Sequence, residues 1–284
     1  MAMPVVSSLY VVYIKSTRAV AVPDWSIGRM GMAFDHQWMV VDERGMVVAQ
    51  RPANKLGAEI KSMSLITVLL NDGYLVCTAP DMPPLKLPIE GFDGKIIPVQ
   101  IWDRDSIGVP QSQEATEWFT EFLSRERPGS YRLVRMPDDP RKGFRKAKRG
   151  DAHVGYHDAD SFLIIGQSSL DDLNGKIANE ALPMNRFRPT IVVSGCEPYA
   201  EDTWGEIRIG YVYFTGTKEC VRCPITTQNQ DTTERGKEPL ATLATYRRVQ
   251  GEGVVFGMNF VHRGNGIIRV GDEIEILERR KSLI

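Results

Sequence analysis

Short apolar runs of roughly four to eight residues, each closed by glycine, aspartate or proline, recur along most of this chain of 284 residues. Runs that short do not make most helices, and turn residues at that spacing force the backbone to reverse again and again. In the first third, Trp38-Met39-Val40-Val41 and Met46-Val47-Val48-Ala49 flank Asp42-Glu43-Arg44-Gly45, the pattern of a hairpin. Leu65 to Leu70 and Tyr74 to Thr78 flank Asn71-Asp72-Gly73, a stronger hairpin signal because Asp-Gly tolerates the positive backbone angles of tight turns. Ile96 to Ile101 and Tyr131 to Met136 read as further strands. The second half repeats the pattern at Phe162 to Ile165, Thr190 to Val193, Ile207 to Phe214 and Val254 to Phe260. Ile267 to Val270 then follows, joined by Gly271-Asp272 to Ile274 to Leu277. So many strands leave edges exposed unless the sheet closes, which points to a closed or nearly closed barrel.

Helical periodicity is confined to two places. Ala115, Trp118, Phe119, Phe122 and Leu123 recur at the spacing of one helix face after Ser112, and Arg127-Pro128-Gly129 ends that helix. Ser168 or Ser169 can cap a shorter helix that carries Leu170, Leu173 and Ile177. The fold class is therefore mainly β with a few helices (α+β). The domain boundary falls within Arg127 to Asp151, a stretch that includes the Pro- and charge-rich connection Pro137 to Gly150, and is set so that a β-rich N-terminal domain takes residues 1–128 and a C-terminal barrel residues 129–284.

Charge excludes more than it assigns. Thirty-five basic residues stand against 36 acidic ones, so neither nucleic acid nor an anionic membrane is the expected main partner. Six of the nine residues from Arg141 to Arg149 are basic, which fits a solvated loop or a docking site for an anionic partner. No stretch reaches the roughly 18 apolar residues of a spanning helix. The apolar opening, Met3 to Ile14, reads as a buried strand ending at Lys15 rather than an export signal. With four cysteines, no disulfide scaffold is expected, and a reducing cytoplasm is the expected compartment.

Cys220-Val221-Arg222-Cys223 is the sharpest local pattern. A zinc site needs four ligands, and Cys77, Cys196 and the four histidines are scattered. A redox dithiol wants a helix N-terminus in an α/β unit, whereas this pair follows a strand and leads into Pro224. Two readings stay open from the residues alone: a single thiolate on a soft metal beside a basic residue, and two structural cysteines.

Longer blocks carry a resemblance. FRPTIVVSGCEPYAEDTWGEIRIG from Phe187, CVRCPITTQNQDTTERGKEPLATLATYRR from Cys220, FGMNF and IIRVGD resemble the MOSC domain in order and spacing. LYVVYIKSTRAV and FDHQWMVVDERG resemble the β-barrel region that precedes it. The likeness runs over residues 8 to 278 and is nearest the subgroup of the mitochondrial amidoxime-reducing component and its bacterial relatives.

The resemblance implies an N-terminal β-rich domain followed by a MOSC β-barrel, with the molybdenum cofactor (Mo-molybdopterin) in the crevice between them. It implies Cys223 as the metal ligand and so the catalytic residue. It implies Lys15, Ser16, His36, Arg188, Arg222 and Cys223 as cofactor-binding, with Cys220, Cys196 and Cys77 structural. At several positions this chain differs from the subgroup: His36 stands where arginine is usual, Thr190 where asparagine is, Asn259 where tyrosine is common, and Val221 replaces a small polar residue. Asp158-Ala159-Asp160-Ser161 takes the place of a hydroxyl-bearing stretch, and Gly166-Gln167 that of a Ser-Glu pair.

The function implied is reduction of small N-hydroxylated compounds, with metal and pterin carrying the electrons. The proton donor is not fixed by the sequence; His36, Asp158 and Glu201 are candidates. Four cysteines leave none to hold an iron–sulfur cluster, which needs four of its own. The resemblance thus implies a separate electron donor of ferredoxin, cytochrome b5 or flavin reductase type, and docking of that donor is the functional reading of the basic run Arg141 to Arg149 beside that of a solvated loop. It also brings pyridoxal phosphate binding as a family-level association. The rival readings are a cofactor or sulfur carrier that uses Cys223 without turnover, and a barrel acting only through its surface.

Overall fold

The structure, a computed structural model, describes residues 3–51, 57–90, 94–137, 145–146, 153–178 and 180–284, with the backbone alone at 145, 146 and 153. Strands dominate, and the described residues contain three α-helices. Alternation along Val212–Val221 is buried and exposed by turns, whereas the strand Gly253–Arg263 is buried almost throughout, as a strand covered on both faces must be.

The largest sheet has nine strands, and both halves of the chain build it. In order across the sheet lie Val20–Val22, Val5–Val11, Ile191–Ser194, Phe162–Gly166, Gly253–Arg263, Val212–Val221, Trp204–Ile209 and Ile274–Arg279, with Arg248–Val249 pairing off this path onto Gly253–Arg263. Val5–Val11 runs antiparallel to Ile191–Ser194, and Phe162–Gly166 lies parallel to the other side of that strand. Of the closed or nearly closed barrel expected, closure is not reached. The two end strands do not pair; an isolated bridge of Val5 with Glu273 and bonds from Ile274 N to Pro4 O and Val6 N to Asp272 O tie the margins instead.

The Thr67–Asn71 and Tyr74–Thr78 hairpin forms around Asp72 and Gly73, both at positive φ, as the Asp-Gly pair requires. Elsewhere tertiary pairing overrides the local pattern. Asp42 and Gly45 make the expected turn and Val41 bridges Val47 across it, but beyond that one bridge Trp38–Val41 pairs with Arg132–Arg135 and Val48–Ala49 pairs with Ala58–Glu59. Ile207 to Phe214 is not one strand but the hairpin of Trp204–Ile209 and Val212–Val221, which reverses at Gly210 and Tyr211. Gly266–Arg269 pairs with Asp24–Gly28, and Ile274–Arg279 pairs with Trp204–Ile209, so those neighbours in sequence part company.

The helix Gln113–Ser124 buries Ala115, Trp118, Phe119, Phe122 and Leu123, and the Ser112 hydroxyl accepts from Ala115 N at 3.2 Å. The second helix, Gln167–Lys176, starts after Gly166 without a side-chain cap, since Ser169 lies inside it and donates to Glu201. One core joins the halves: Leu9, Trp38, Phe119, Phe162, Phe214 and Phe260 belong to a single buried cluster. Each such side chain contributes about 1.5–3 kcal/mol of burial, so the halves are stabilised together. The basic run at 141–149 lies outside the described residues apart from the Arg145–Lys146 backbone.

Candidate functional site

Four of the functional segments sit just past a strand end. Lys15 and Ser16 follow Val5–Val11, Asp158 to Ser161 precede Phe162–Gly166, Arg188 to Thr190 precede Ile191–Ser194, and Arg222-Cys223 follow Val212–Val221. Strand ends are fixed by the sheet while the residues beyond them are free of the ladder, which suits them to hold a ligand. All six residues that the resemblance singles out, Lys15, Ser16, His36, Arg188, Arg222 and Cys223, line one cavity of about 230 Å³. A larger cavity of about 800 Å³, lined by Met3, Cys196, Trp204 and Ile276 among others, contains none of them.

Lys15 is placed by its backbone, whose N–H donates to Trp38 O at 2.8 Å, and by a turn in which Ser16 takes φ 70°. Its buried ammonium donates to Asp158 Oδ1 at 2.7 Å, and the Trp102 indole N–H reaches the same oxygen at 2.7 Å. Burial lowers the Lys15 pKa while Asp158 works against that. Burial acts to raise Asp158 in turn, but Lys15 and Arg51 outweigh it and hold the carboxyl well below the usual range. Arg51 lies 3.8 Å over the Trp102 ring, which closes this wall.

His36 forms the adjoining wall. Asp35 Oδ2 lies 2.9 Å from His36 Nδ1 and 2.8 Å from His157 Nε2, and Asp35 Oδ1 accepts Val12 N–H at 2.7 Å. The two imidazoles lie with ring centroids 4.2 Å apart. These three residues are the one group of converging His, Cys, Asp or Glu ligand atoms among the described residues, and here those atoms bond one another. Gly155 permits the packing, because a Cβ there would lie 2.6 Å from His36 O. Burial of Asp35 acts to raise its carboxyl, yet the two imidazoles more than reverse that and keep it well below the usual range.

Arg222 ties the cysteine strand to the arginine loop. Its Nη2 donates to Phe187 O at 2.6 Å, its Nη1 lies 3.0 Å from Cys220 Sγ, and its backbone N–H bonds Val254 O. Cys223 is half-buried and leads into the short turn Pro224–Thr227. Arg188, at φ 54°, has its pKa pushed down to about 10 by burial, against which Asp35, Asp158 and Cys223 pull. It remains charged at neutral pH.

Cys220 lines this cavity instead of serving as sealed filler, because the strand carrying it continues to Val221. Cys77 is fully buried, with its thiol pushed up to about 12 by burial. Thr190, Val221, Asn259 and the Asp158 to Ser161 stretch also line the cavity; Gly166 and Gln167 do not. Glu201 is not in the cavity either: it is fully buried, with Gly166 N–H and the Ser169 hydroxyl bonding its carboxyl. The sequence did not bring forward Arg51, Trp102, Asp35 or His157. The last two carried one signal, the carboxylate next to His36, but His157 joins them only through the fold.

The site suits an anionic group with a soft-metal end. Arg222, Arg51 and Ser161 line the cavity, and Arg222 Nε, Arg51 Nε and Ser161 Oγ are buried without a hydrogen-bond partner, which costs free energy. Two thiols, Cys220 and Cys223, line the cavity with those cations, and a thiolate is the ligand that soft metals prefer.

Two families match the chain: the MOSC N-terminal beta barrel domain over residues 3–126 and the MOSC domain over 151–275. Mitochondrial amidoxime reducing component 2 of Rattus norvegicus is 35% identical over 290 residues, covering 95% of this chain and 82% of that protein. Mitochondrial amidoxime-reducing component 1 of Homo sapiens is 32% identical, covering 96% and 82%. Among solved structures, the YUAD protein of Bacillus subtilis aligns over 96% of this chain and 95% of its own at 9% identity, with a TM-score of 0.41.

Proposed function

This chain belongs to the family of MOSC proteins that contains the mitochondrial amidoxime-reducing components, and on that premise we propose that it is a molybdenum-cofactor-dependent oxidoreductase that reduces N-hydroxylated compounds from N–O to N–H. The observation that carries the reading is the meeting of Cys223 with Lys15, Ser16, His36, Arg188 and Arg222 around one cavity. Cys223 is the residue that would hold molybdenum. Arg188, Arg222 and Arg51 would hold the phosphorylated pterin, because guanidinium groups suit phosphate oxygens and keep their charge.

When bound, the cofactor supplies two-electron redox chemistry. The chain's residues do the rest. Arg222 fixes the spacing between the Cys223 strand and the Arg188 loop through Phe187 O. Lys15, Trp102 and Asp158 hold the two halves together at the cavity wall. Pyridoxal phosphate is no part of this reading, since it needs a free lysine amine and Lys15 is committed to Asp158. Electrons come from a separate donor protein of ferredoxin, cytochrome b5 or flavin reductase type, and a cytoplasmic location is part of the same proposal. No helix among the described residues is long and apolar enough to cross a membrane.

The test is metal and pterin analysis of protein made in a host that synthesises molybdopterin, beside Cys223→Ala. Near-stoichiometric molybdenum is expected in the first and little in the second. Turnover of an amidoxime by the loaded protein with an artificial reductant completes the test; loading without turnover points to the carrier reading instead.

A further inference from the structure

Reducing an N–O group to N–H consumes two protons as well as two electrons. One proton goes to the nitrogen and one to the oxygen, which leaves as water. The cavity must therefore contain a group that can deliver them, and most of its titratable groups are already committed. Asp158 accepts from Lys15 and from Trp102, and Lys15 is committed to Asp158 in return. Asp160 accepts the Thr217 hydroxyl at 2.6 Å. Glu201 lies outside the cavity.

His36 is different. Its Nδ1 is spent on Asp35, so the nitrogen left for the cavity is Nε2, and Asp35 fixes that tautomer. His157 bonds the same carboxylate oxygen with its ring packed on that of His36 at 4.2 Å between centroids, and its Nδ1 is buried without a partner. The imidazole pair thus has a closed end at His157 and an open end at His36, whose side chain is 19% exposed against 7% for His157.

We propose that His36, held by Asp35 and flanked by His157, is the proton source of this site, taking up a proton when negative charge enters the cavity and passing it from Nε2 to the leaving oxygen. The proposal rests on the reductase reading for its second half only. The balance is simple: the N–O bond breaks, N–H and O–H bonds form, and the two electrons are those that a donor protein would supply with the cofactor bound. His36 gives the proton that goes to the leaving oxygen; the proton on nitrogen comes from water at the cavity mouth, which also reloads His36.

The electrostatics give the coupling its direction. With no anion present, burial pushes the His36 pKa down to about 4, Asp35 opposes this, and His157 and Lys15 push it further down. Asp158 and Arg188 face the same cavity with opposite charges. A dianion placed among these groups favours the charged imidazole and moves its protonation back toward neutral pH.

Sulfate is the probe, since it stays a dianion throughout the useful pH range. Calorimetry of sulfate binding to cofactor-free protein at pH 6, in two buffers with different ionisation heats, counts the protons exchanged. Wild type is expected to take up roughly half a proton or more per sulfate, and His36→Gln and His36→Arg under about a tenth. No sulfate binding, or uptake unchanged in both variants, overturns the proposal. Histidine resonances of wild type, followed against pH with and without sulfate, give the same answer without any variant: the His36 midpoint must rise. In molybdenum-loaded protein, His36→Gln and His36→Arg are expected to lose about a hundredfold in kcat with little change in KM or metal content. Equal kcat in wild type and variants overturns the delivery step. Wild type that holds molybdenum yet reduces no N-hydroxy compound defeats the reductase reading, and sulfate calorimetry still decides the uptake.

Discussion

Replacing Glu201 by glutamine is expected to stabilise the protein at pH 8 and to cost it about 1 kcal/mol near pH 4.5. Glu201 is fully buried, its Oε1 accepting Gly166 N–H at 3.0 Å and the Ser169 hydroxyl at 2.8 Å. Burial pushes the carboxyl from its ordinary 4.5 up to about 7, and those donors only partly restrain the rise. The folded protein therefore holds a proton between these two values that the unfolded chain has released. Stability is fully present below the unfolded value and is lost as pH rises through the folded one. At 1.36 kcal/mol per unit, the loss amounts to about 3 kcal/mol by pH 8. Glutamine keeps an acceptor for Gly166 and Ser169 but never ionises, so its advantage grows with pH. Its second N–H needs a partner and adds a constant offset of about 1 kcal/mol against it. Urea unfolding of both proteins at pH 5, 6, 7 and 8 separates the two effects, because only the first depends on pH. A difference in stability that stays flat from pH 5 to pH 8 refutes the reasoning.

Two further outcomes follow from packing. Gly155→Ala places a Cβ 2.6 Å from His36 O and is expected to cost about 2 kcal/mol or more in urea unfolding, with a weakened response to sulfate because the His36 wall moves. Arg247→Met removes the partner of Asp202, a pair joined at 2.5 Å with both side chains almost fully buried, and is expected to cost roughly 3–5 kcal/mol; adding Asp202→Asn should restore part of it, as measured by the same unfolding curves.

The strands were legible where their own residues decide the outcome. Asp72-Gly73 dictates its hairpin because those two residues can hold positive φ, and the helix Gln113–Ser124 follows from five apolar residues on one face and a serine cap. Partners chosen by distant strands were not legible. Trp38 pairs with Arg135 rather than across the turn that follows its own strand, since burial in the joint core outweighs turn geometry. The open margin of the sheet was hidden for the same reason: alternation reports which face is buried, not which strand comes last. At the site, the six residues carried over by resemblance do converge on one cavity, whereas Arg51, Trp102 and His157 were invisible because no local pattern joins them.

The geometry of the cavity argues on its own that this wall is built to hold something. Nine non-glycine residues among those described have positive φ, and four of them, Ser16, His36, Trp102 and Arg188, line this one cavity. Each such backbone costs roughly 1–3 kcal/mol and persists only where neighbours fix it. Here the neighbours are identifiable: Gln50 Nε2 donates to Ser16 O, Tyr156 N–H to His36 O, and Arg222 to the carbonyl just before Arg188. Local preference would relax all four residues, and the fold holds them against it. A wall held this way is set before any ligand arrives, so little ordering remains to oppose binding.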